Sequence, residues 1–290
     1  MNARTVGALA KDALLYEVSV TPKPGLVDRV SSGAHHDMDA DSFARSAAAL
    51  ERYFVSCAAR GALRHPQPER PLSIPRPAEL LANLRPLGKK AEETMLAATD
   101  GANTHKGAVF TLGLLAAAAG FAFCRTEGAA LLSAEDLCRI AGQLSAPAMD
   151  DYKKSDPAPH TAGETFHRRF GTGGIRAEAA AGFPSLRLTG LPALRIALAA
   201  GASDNDAGLY TLLRLIASVE DTTLMKRLDS SDLSVPRAQA AALCPLFFTD
   251  RKGFLARVKA LDLAWSVRGV SAGGCADLLA AAWFLLKVTV

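Results

Sequence analysis

The chain has 290 residues, of which 49% are hydrophobic, 21% charged and 6% aromatic, with a formal net charge of +4. That length and apolar content can bury a substantial core, while a mild charge with no Lys/Arg block excludes a nucleic-acid binder. The five cysteines (Cys57, Cys124, Cys138, Cys244 and Cys275) have neither metal-ligand nor bridge-framework spacing, so reduced, mostly buried thiols are expected.

Ala and Leu dominate the apolar residues, and β-branched runs of strand length are hard to find. Both are strong helix formers, and Ala lets helices approach closely. The pattern predicts an all-α fold, one compact multi-helix domain over 1–290 with long functional loops. In chain order, helix is expected over 3–20, ended by Pro22 and Pro24, then a Gly- and charge-bearing loop from Lys23 to Asp41. Lys11, Asp12 and Glu17 interrupt any apolar run that could serve as a signal peptide, so a cytoplasmic location is expected. Helix resumes over 42–63, with Phe43, Ala47, Leu50 and Phe54 on one stripe. Five prolines between 65 and 77 mark a surface excursion. Helices follow at 78–99, 104–125 and 134–146. The segment 107–124 lacks charge and reaches the lower length limit for a membrane span, but its Ala and Gly content reads better as a buried central helix, with no membrane partner. The stretch 150–173 is the longest irregular region, and helices then return at 174–181, 191–200, 205–219, 236–243, 251–267 and 274–289.

No P-loop, Rossmann fingerprint, nucleophile elbow or zinc signature is present. What recurs is a polar or Gly-rich loop running into a helix start: residues 101–107, 171–178 and 269–277. A helix N-terminus presents free N–H groups and a partial positive charge, which attract anions. His105, Lys106 and Arg176 stand in first turns, where a cation is locally unfavourable unless a phosphate binds. Asn103 or Thr104 as plain helix caps is the competing reading. In the loop after the first helix, Asp28, Arg29, His35, Asp37 and Asp39 crowd together. Asp37 and Asp39, two apart, could share Mg²⁺ with phosphate oxygens, or Asp39 could simply cap the next helix.

Taken together, Pro22-Lys23-Pro24-Gly25-Leu26-Val27-Asp28, Gly33-Ala34-His35-His36-Asp37-Met38, Asn103-Thr104-His105-Lys106-Gly107 and Gly174-Ile175-Arg176-Ala177-Glu178 resemble the triphosphoribosyl-dephospho-CoA synthase family of citrate lyase and malonate decarboxylase systems. The matches continue through Gly182-Phe183-Pro184 to Gly273-Gly274-Cys275-Ala276-Asp277 and span nearly the whole chain. The resemblance implies an all-α enzyme that transfers the 5-triphosphoribosyl unit of ATP to the ribose 2′-hydroxyl of 3′-dephospho-CoA, releasing adenine. Its product would pass to a phosphoribosyl-dephospho-CoA transferase and an acyl carrier protein. It implies ATP and phosphate contacts from Lys23, Arg29, His35, Asn103, Thr104, His105, Lys106, Gly174 and Arg176, and Mg²⁺ at Asp37 and Asp39. Asp28, Glu92 and Glu178 are the candidates for general base or oxocarbenium stabiliser. The chain departs from the family pattern at Asp221-Thr222-Thr223, at Lys226-Arg227 and at His160–Glu164, which leaves Asp221, Arg227 and Glu164 without assigned roles. A non-catalytic nucleotide- or CoA-binding partner and a helical N-glycoside hydrolase are the alternatives.

Overall fold

In the computed structural model of the chain, residues 1–64, 72–123, 132–153 and 162–289 are described, and they contain helices and no strand. The N-terminal half is built from α1 (Ala3–Ser19), α2 (Ala40–Ala62), α3 (Pro77–Ala98), α4 (Lys106–Phe123) and α5 (Ala134–Ser145). It continues through α6 (Ala162–Phe170), α7 (Gly174–Ala180), α8 (Leu191–Ala199) and α9 (Asp204–Ser218). The C-terminal part holds α10 (Thr222–Leu228), α11 (Ser234–Leu243), α12 (Leu246–Thr249), α13 (Arg251–Val267) and α14 (Gly273–Val288). A 3₁₀ stretch, Ala146–Lys153, extends α5, and a π turn, Leu186–Gly190, leads into α8.

Caps account for several helix starts. Asn2 accepts the Thr5 amide at 3.0 Å, Ser133 and Asp136 form a capping box, and Ser203 accepts the Asp206 amide at 3.2 Å. These side chains satisfy amide donors that the first turn leaves without helical partners.

The core is one cluster running from Val6 on α1 to Val288 on α14. α4 is its axis: nearly every side chain from Ala108 to Ala122 is buried, and it packs against α1, α2, α5 and α14. It is long and apolar enough to cross a membrane, and 78% of it is buried inside the molecule, in contact with neighbouring helices. The α2–α4 contact depends on missing side chains. A Cβ on Gly61 would stand 1.9 Å from the Ala117 carbonyl, and one on Gly120 would stand 1.9 Å from the Ala58 carbonyl. The two backbones therefore touch, which a larger residue at either position would forbid.

The expected helices match the observed ones to within about two residues. Three expectations fail, the smallest being the single turn α12 (Leu246–Thr249), which falls between the expected helices 236–243 and 251–267. The region 150–173 is not irregular throughout, because α6 occupies Ala162–Phe170; the His160-Thr161 part of that motif lies outside the described residues. The run from Thr222 to Leu228, read without a helix, forms α10 because Asp221 caps it. Both helices are short, and their stability comes from contact with neighbours rather than from propensity. Cys57, Cys138 and Cys275 are buried thiols, Cys244 is partly buried, and Cys124 lies outside the described residues.

Candidate active site

The starts of α4, α10 and α14 converge with the C-terminal end of α1 around a cavity of about 350 Å³. From α1 comes Glu17, and from the following loop Leu26, Val27, His35 and Met38. The turn before α4 supplies Asn103, Thr104 and His105 and its first turn Lys106 and Gly107, while Ser271 enters from the loop before α14 and Gly273 and Asp277 from α14 itself. Glu92, Phe110, Tyr152 and Arg176 form one wall, and they also line a second cavity of about 520 Å³ together with Lys106. The two chambers therefore meet along a shared seam of Glu92, Lys106, Phe110, Tyr152 and Arg176.

At the seam Lys106 Nζ lies 3.0 Å from the Glu92 carboxylate, both side chains being partly exposed. Arg176 donates to Glu164 at 2.9 Å and lies 5.0 Å from the centre of the Tyr152 ring. Tyr152 stacks on His167 at 4.1 Å and donates to the Gly173 carbonyl at 2.9 Å. Beyond the seam, the larger chamber carries Arg85, Lys89, His167 and Arg168 alongside Tyr53, Leu81 and Leu84.

The smaller chamber is acidic and holds unmet polar atoms. His105 is 3% exposed; its Nδ1 contacts Ser46 Oγ at 2.7 Å, and its Nε2 is buried without a partner. Thr104 Oγ1 is also buried and unpartnered. Burial, helped by the Lys23 charge, pushes the His105 imidazole down to about 3, so it is a neutral ring. It can exchange hydrogen bonds with a ligand but cannot be the cation expected there. An unsatisfied buried polar atom costs about 1–3 kcal/mol, which a ligand group filling this chamber would relieve.

Glu17 and Asp277 line this chamber, and Asp221 lies beside Asp277. Glu17 forms a buried ion pair with Lys23, whose Nζ also donates to the Glu17 carbonyl at 2.8 Å. Asp221 caps α10 through Oδ1, accepting Thr223 N at 2.8 Å and Leu224 N at 3.1 Å. Its Oδ2 accepts the Cys275 amide at 2.9 Å, so one side chain ties the starts of α10 and α14. Asp277 sits beside the start of α4, with the Ala108 amide directed at it, and a Cβ on Gly107 would lie only 2.0 Å from its Oδ2. Burial and the nearby Glu17 and Asp221 charges hold its carboxyl well above the usual range.

His35 Nδ1 accepts from Arg227 at 3.0 Å, since a guanidinium can only donate. Its Nε2 therefore bears the proton and donates to Ser271 Oγ at 3.0 Å. Burial and Arg227 lower the pKa of this ring too. Arg227, left unassigned by the sequence, thus fixes a residue of the cavity wall.

The structure separates the sequence candidates. His35, Glu92, Asn103, Thr104, His105, Lys106 and Arg176 come together at the small chamber. Lys23 does not line it: the side chain is fully buried and committed to Glu17. Arg29 is exposed on the loop. Asp28 is also consumed locally. Its Oδ2 accepts Thr21 Oγ1 at 2.8 Å and Lys23 N at 3.0 Å, and its Oδ1 accepts Val30 N at 2.8 Å and Ser31 N at 2.9 Å. Four donors on one carboxylate make it the organiser of the loop.

Gly174 and Glu178 line a separate crevice of about 270 Å³. Glu178 there accepts Ser185 N at 2.7 Å and Ser185 Oγ at 3.1 Å, and burial raises its pKa. Asp39 caps α2, accepting Ser42 N at 2.8 Å, and Asp37 is exposed. No group of three or more His, Cys, Asp or Glu side chains is arranged to hold a metal among the described residues. The Asp37–Asp39 pair does not form a metal cage of its own, because one of its four oxygens is already engaged and no third ligand joins it. Glu17 and Asp277 were missed by sequence reasoning. A polar residue inside an apolar helix was the available signal for Glu17, and the Gly-Gly-Cys-Ala-Asp run for Asp277.

The described residues thus form a helix-built cleft in which a chamber lined by Arg85, Lys89 and Arg168 with aromatic side chains adjoins one lined by Glu17, Glu92 and Asp277. The sequence profile described as ATP:dephospho-CoA triphosphoribosyl transferase matches residues 3–290. A protein of Vibrio cholerae serotype O1 (strain M66-2), named as a probable 2-(5″-triphosphoribosyl)-3′-dephosphocoenzyme-A synthase, is 38% identical over 98% of this chain and 88% of its own. The synthases so named from Pectobacterium atrosepticum and Klebsiella pneumoniae are 38% and 34% identical, over 94% and 98% of this chain and 85% and 91% of their own. No solved structure matches the chain. The chain belongs to the ATP:dephospho-CoA triphosphoribosyl transferase family, and it is a transferase.

Proposed function

We propose that the protein transfers the 5-triphosphoribosyl group of ATP to the 2′-hydroxyl of 3′-dephospho-CoA and releases adenine. The observation that carries this reading is the shared seam, which gives two nucleotides adjoining chambers and one meeting point. Lys106 and Arg176, at that seam, take the triphosphate by exchanging their carboxylate partners for phosphate oxygens, assisted by the amides at the start of α4. Asn103, Thr104, His105 and His35 contact the nucleoside from the small chamber. The larger chamber receives dephospho-CoA, with Arg85, Lys89 and Arg168 toward its diphosphate and the aromatic wall toward its apolar parts.

Cleavage of C1′–N9 develops oxocarbenium character, and the anionic small chamber favours that charge. Mg²⁺ would neutralise triphosphate charge when bound, entering with ATP; Asp37 and the Asp39 oxygen that Ser42 does not hold are the groups that would touch it. We place the enzyme in the cytoplasm and its product in the prosthetic group of a malonate decarboxylase or citrate lyase acyl carrier. The test is adenine release from ATP, followed chromatographically. Release that requires dephospho-CoA supports the transferase. Release without it, giving free sugar triphosphate, indicates the hydrolase, and binding without release indicates a non-catalytic partner.

A further inference from the structure

We infer that Asp277 is the general base that takes the proton from the attacking 2′-hydroxyl. The inference rests on the transferase reading and adds to it the group that the sequence left open. It follows from how the carboxylates around the chamber are occupied. Glu17 is held in an ion pair by Lys23, Asp221 spends its oxygens on three amides, and Glu92 pairs with Lys106 at the seam. Asp28 and Glu178 stand outside the chamber with their oxygens engaged. Asp277 lines the chamber, makes no ion pair among the described residues, and has the carboxylates of Glu17 and Asp221 as charged neighbours.

Two independent observations mark the space beside it as built for a ligand. Gly107 leaves bare the spot where a Cβ would stand 2.0 Å from Asp277 Oδ2, so the carboxylate reaches the chamber at the start of α4. His105, a side chain 3% exposed, lines the same chamber, and its Nε2 is buried with no partner. A neutral imidazole and a basic carboxylate on one wall suit a hydroxyl that must be oriented and deprotonated. The charged and titratable groups around Asp277 are Glu17 with Lys23, Asp221, Cys275 and His105, with Lys106 and Glu92 farther out at the seam. Burial, with the Glu17 and Asp221 charges beside it, raises the affinity of Asp277 for a proton and so strengthens it as a base.

In the step, the 2′-oxygen bonds to C1′ as its proton passes to the Asp277 carboxylate. The C1′–N9 bond breaks and its electron pair leaves on adenine. Adenine regains a proton from solvent, and the carboxylic acid so formed returns its proton to solvent, which restores the carboxylate. Displacement from the face opposite adenine inverts C1′.

The experiment compares Asp277→Asn and Asp277→Ala with the wild type. Adenine release, ATP affinity by calorimetry and rescue by azide or formate are measured. The expected result is ATP affinity within about threefold of wild type and kcat lower by about 10²–10⁴. In Asp277→Ala, azide attacking C1′ without a proton to lose, or formate acting as base, raises adenine release at least tenfold. A kcat within tenfold of wild type, a loss confined to KM, or a folded ATP-binding variant that neither ion rescues would overturn the assignment. Should the variants not fold, the wild type decides: kcat must fall with decreasing pH as one group protonates, and a flat profile overturns it. Wild-type enzyme that releases no adenine with dephospho-CoA strikes the transferase reading instead, which separates the two failures.

Discussion

Lys106 Nζ and the Glu92 carboxylate meet 3.0 Å apart at the boundary between the two chambers, and both residues line each of them. The pair is half in solvent, at 47% and 35% exposure, so it contributes at most about 1 kcal/mol to stability. Its value lies in the cation held ready beside the nucleotide.

Lys106→Ala should therefore leave the thermal midpoint nearly unchanged and weaken ATP binding by at least about tenfold, equivalent to 1.4 kcal/mol. Calorimetric titration with ATP checks this, and unchanged affinity would remove Lys106 from the phosphate site.

Lys23 behaves in the opposite way. Its ammonium is fully buried against Glu17, so Lys23→Met strands a carboxylate in the interior and should cost about 3–5 kcal/mol. Adding Glu17→Gln should recover most of that loss. Urea unfolding of the two variants tests the coupling, and additive losses would contradict it.

Asp221 holds two helix starts at once. Asp221→Ala leaves the amides of Thr223, Leu224 and Cys275 without their acceptor, at a cost of about 3 kcal/mol from lost capping and unsatisfied donors. Asp221→Asn keeps one carbonyl oxygen and should lose roughly half as much. Equal stability of the two variants in urea would show that the second helix start does not depend on this side chain.

His105 makes stability depend on pH with a definite sign. Its ring is held neutral in the folded protein down to about pH 3, while the unfolded chain takes up the proton below about 6.5. Protons thus favour unfolding between those values, and stability falls as pH drops through that window. Each unit of depression corresponds to about 1.4 kcal/mol. His105→Gln should show a flatter decline between about pH 6.5 and 4 than wild type in thermal melts. Parallel curves would mean that the ring is not held neutral.

Much of the fold was legible because Ala- and Leu-rich periodicity and prolines act locally. The long helices α1, α2, α3, α4 and α14 need little more than their own pattern to be recognised. α6 and α10 were not legible, since seven to nine residues carry too little propensity of their own. α10 exists because Asp221 meets its first amides and α6 lies against it. The site divides in the same way. The 103–107 and 174–178 runs announced a polyanion site, and Lys106, His105 and Arg176 do stand at one cleft.

By itself the sequence determined the helical class, the family and the loops that carry the chemistry, because these are properties of residue type and spacing. Only the tertiary structure decided which charges remain available. Burial neutralised His105, paired Lys23 with Glu17 and tied Asp28 into its loop. It also brought Asp277, 170 positions from Gly107, into the gap which that glycine leaves open. Burial and hydrogen-bond occupancy depend on neighbours distant in the chain, and no local pattern records them.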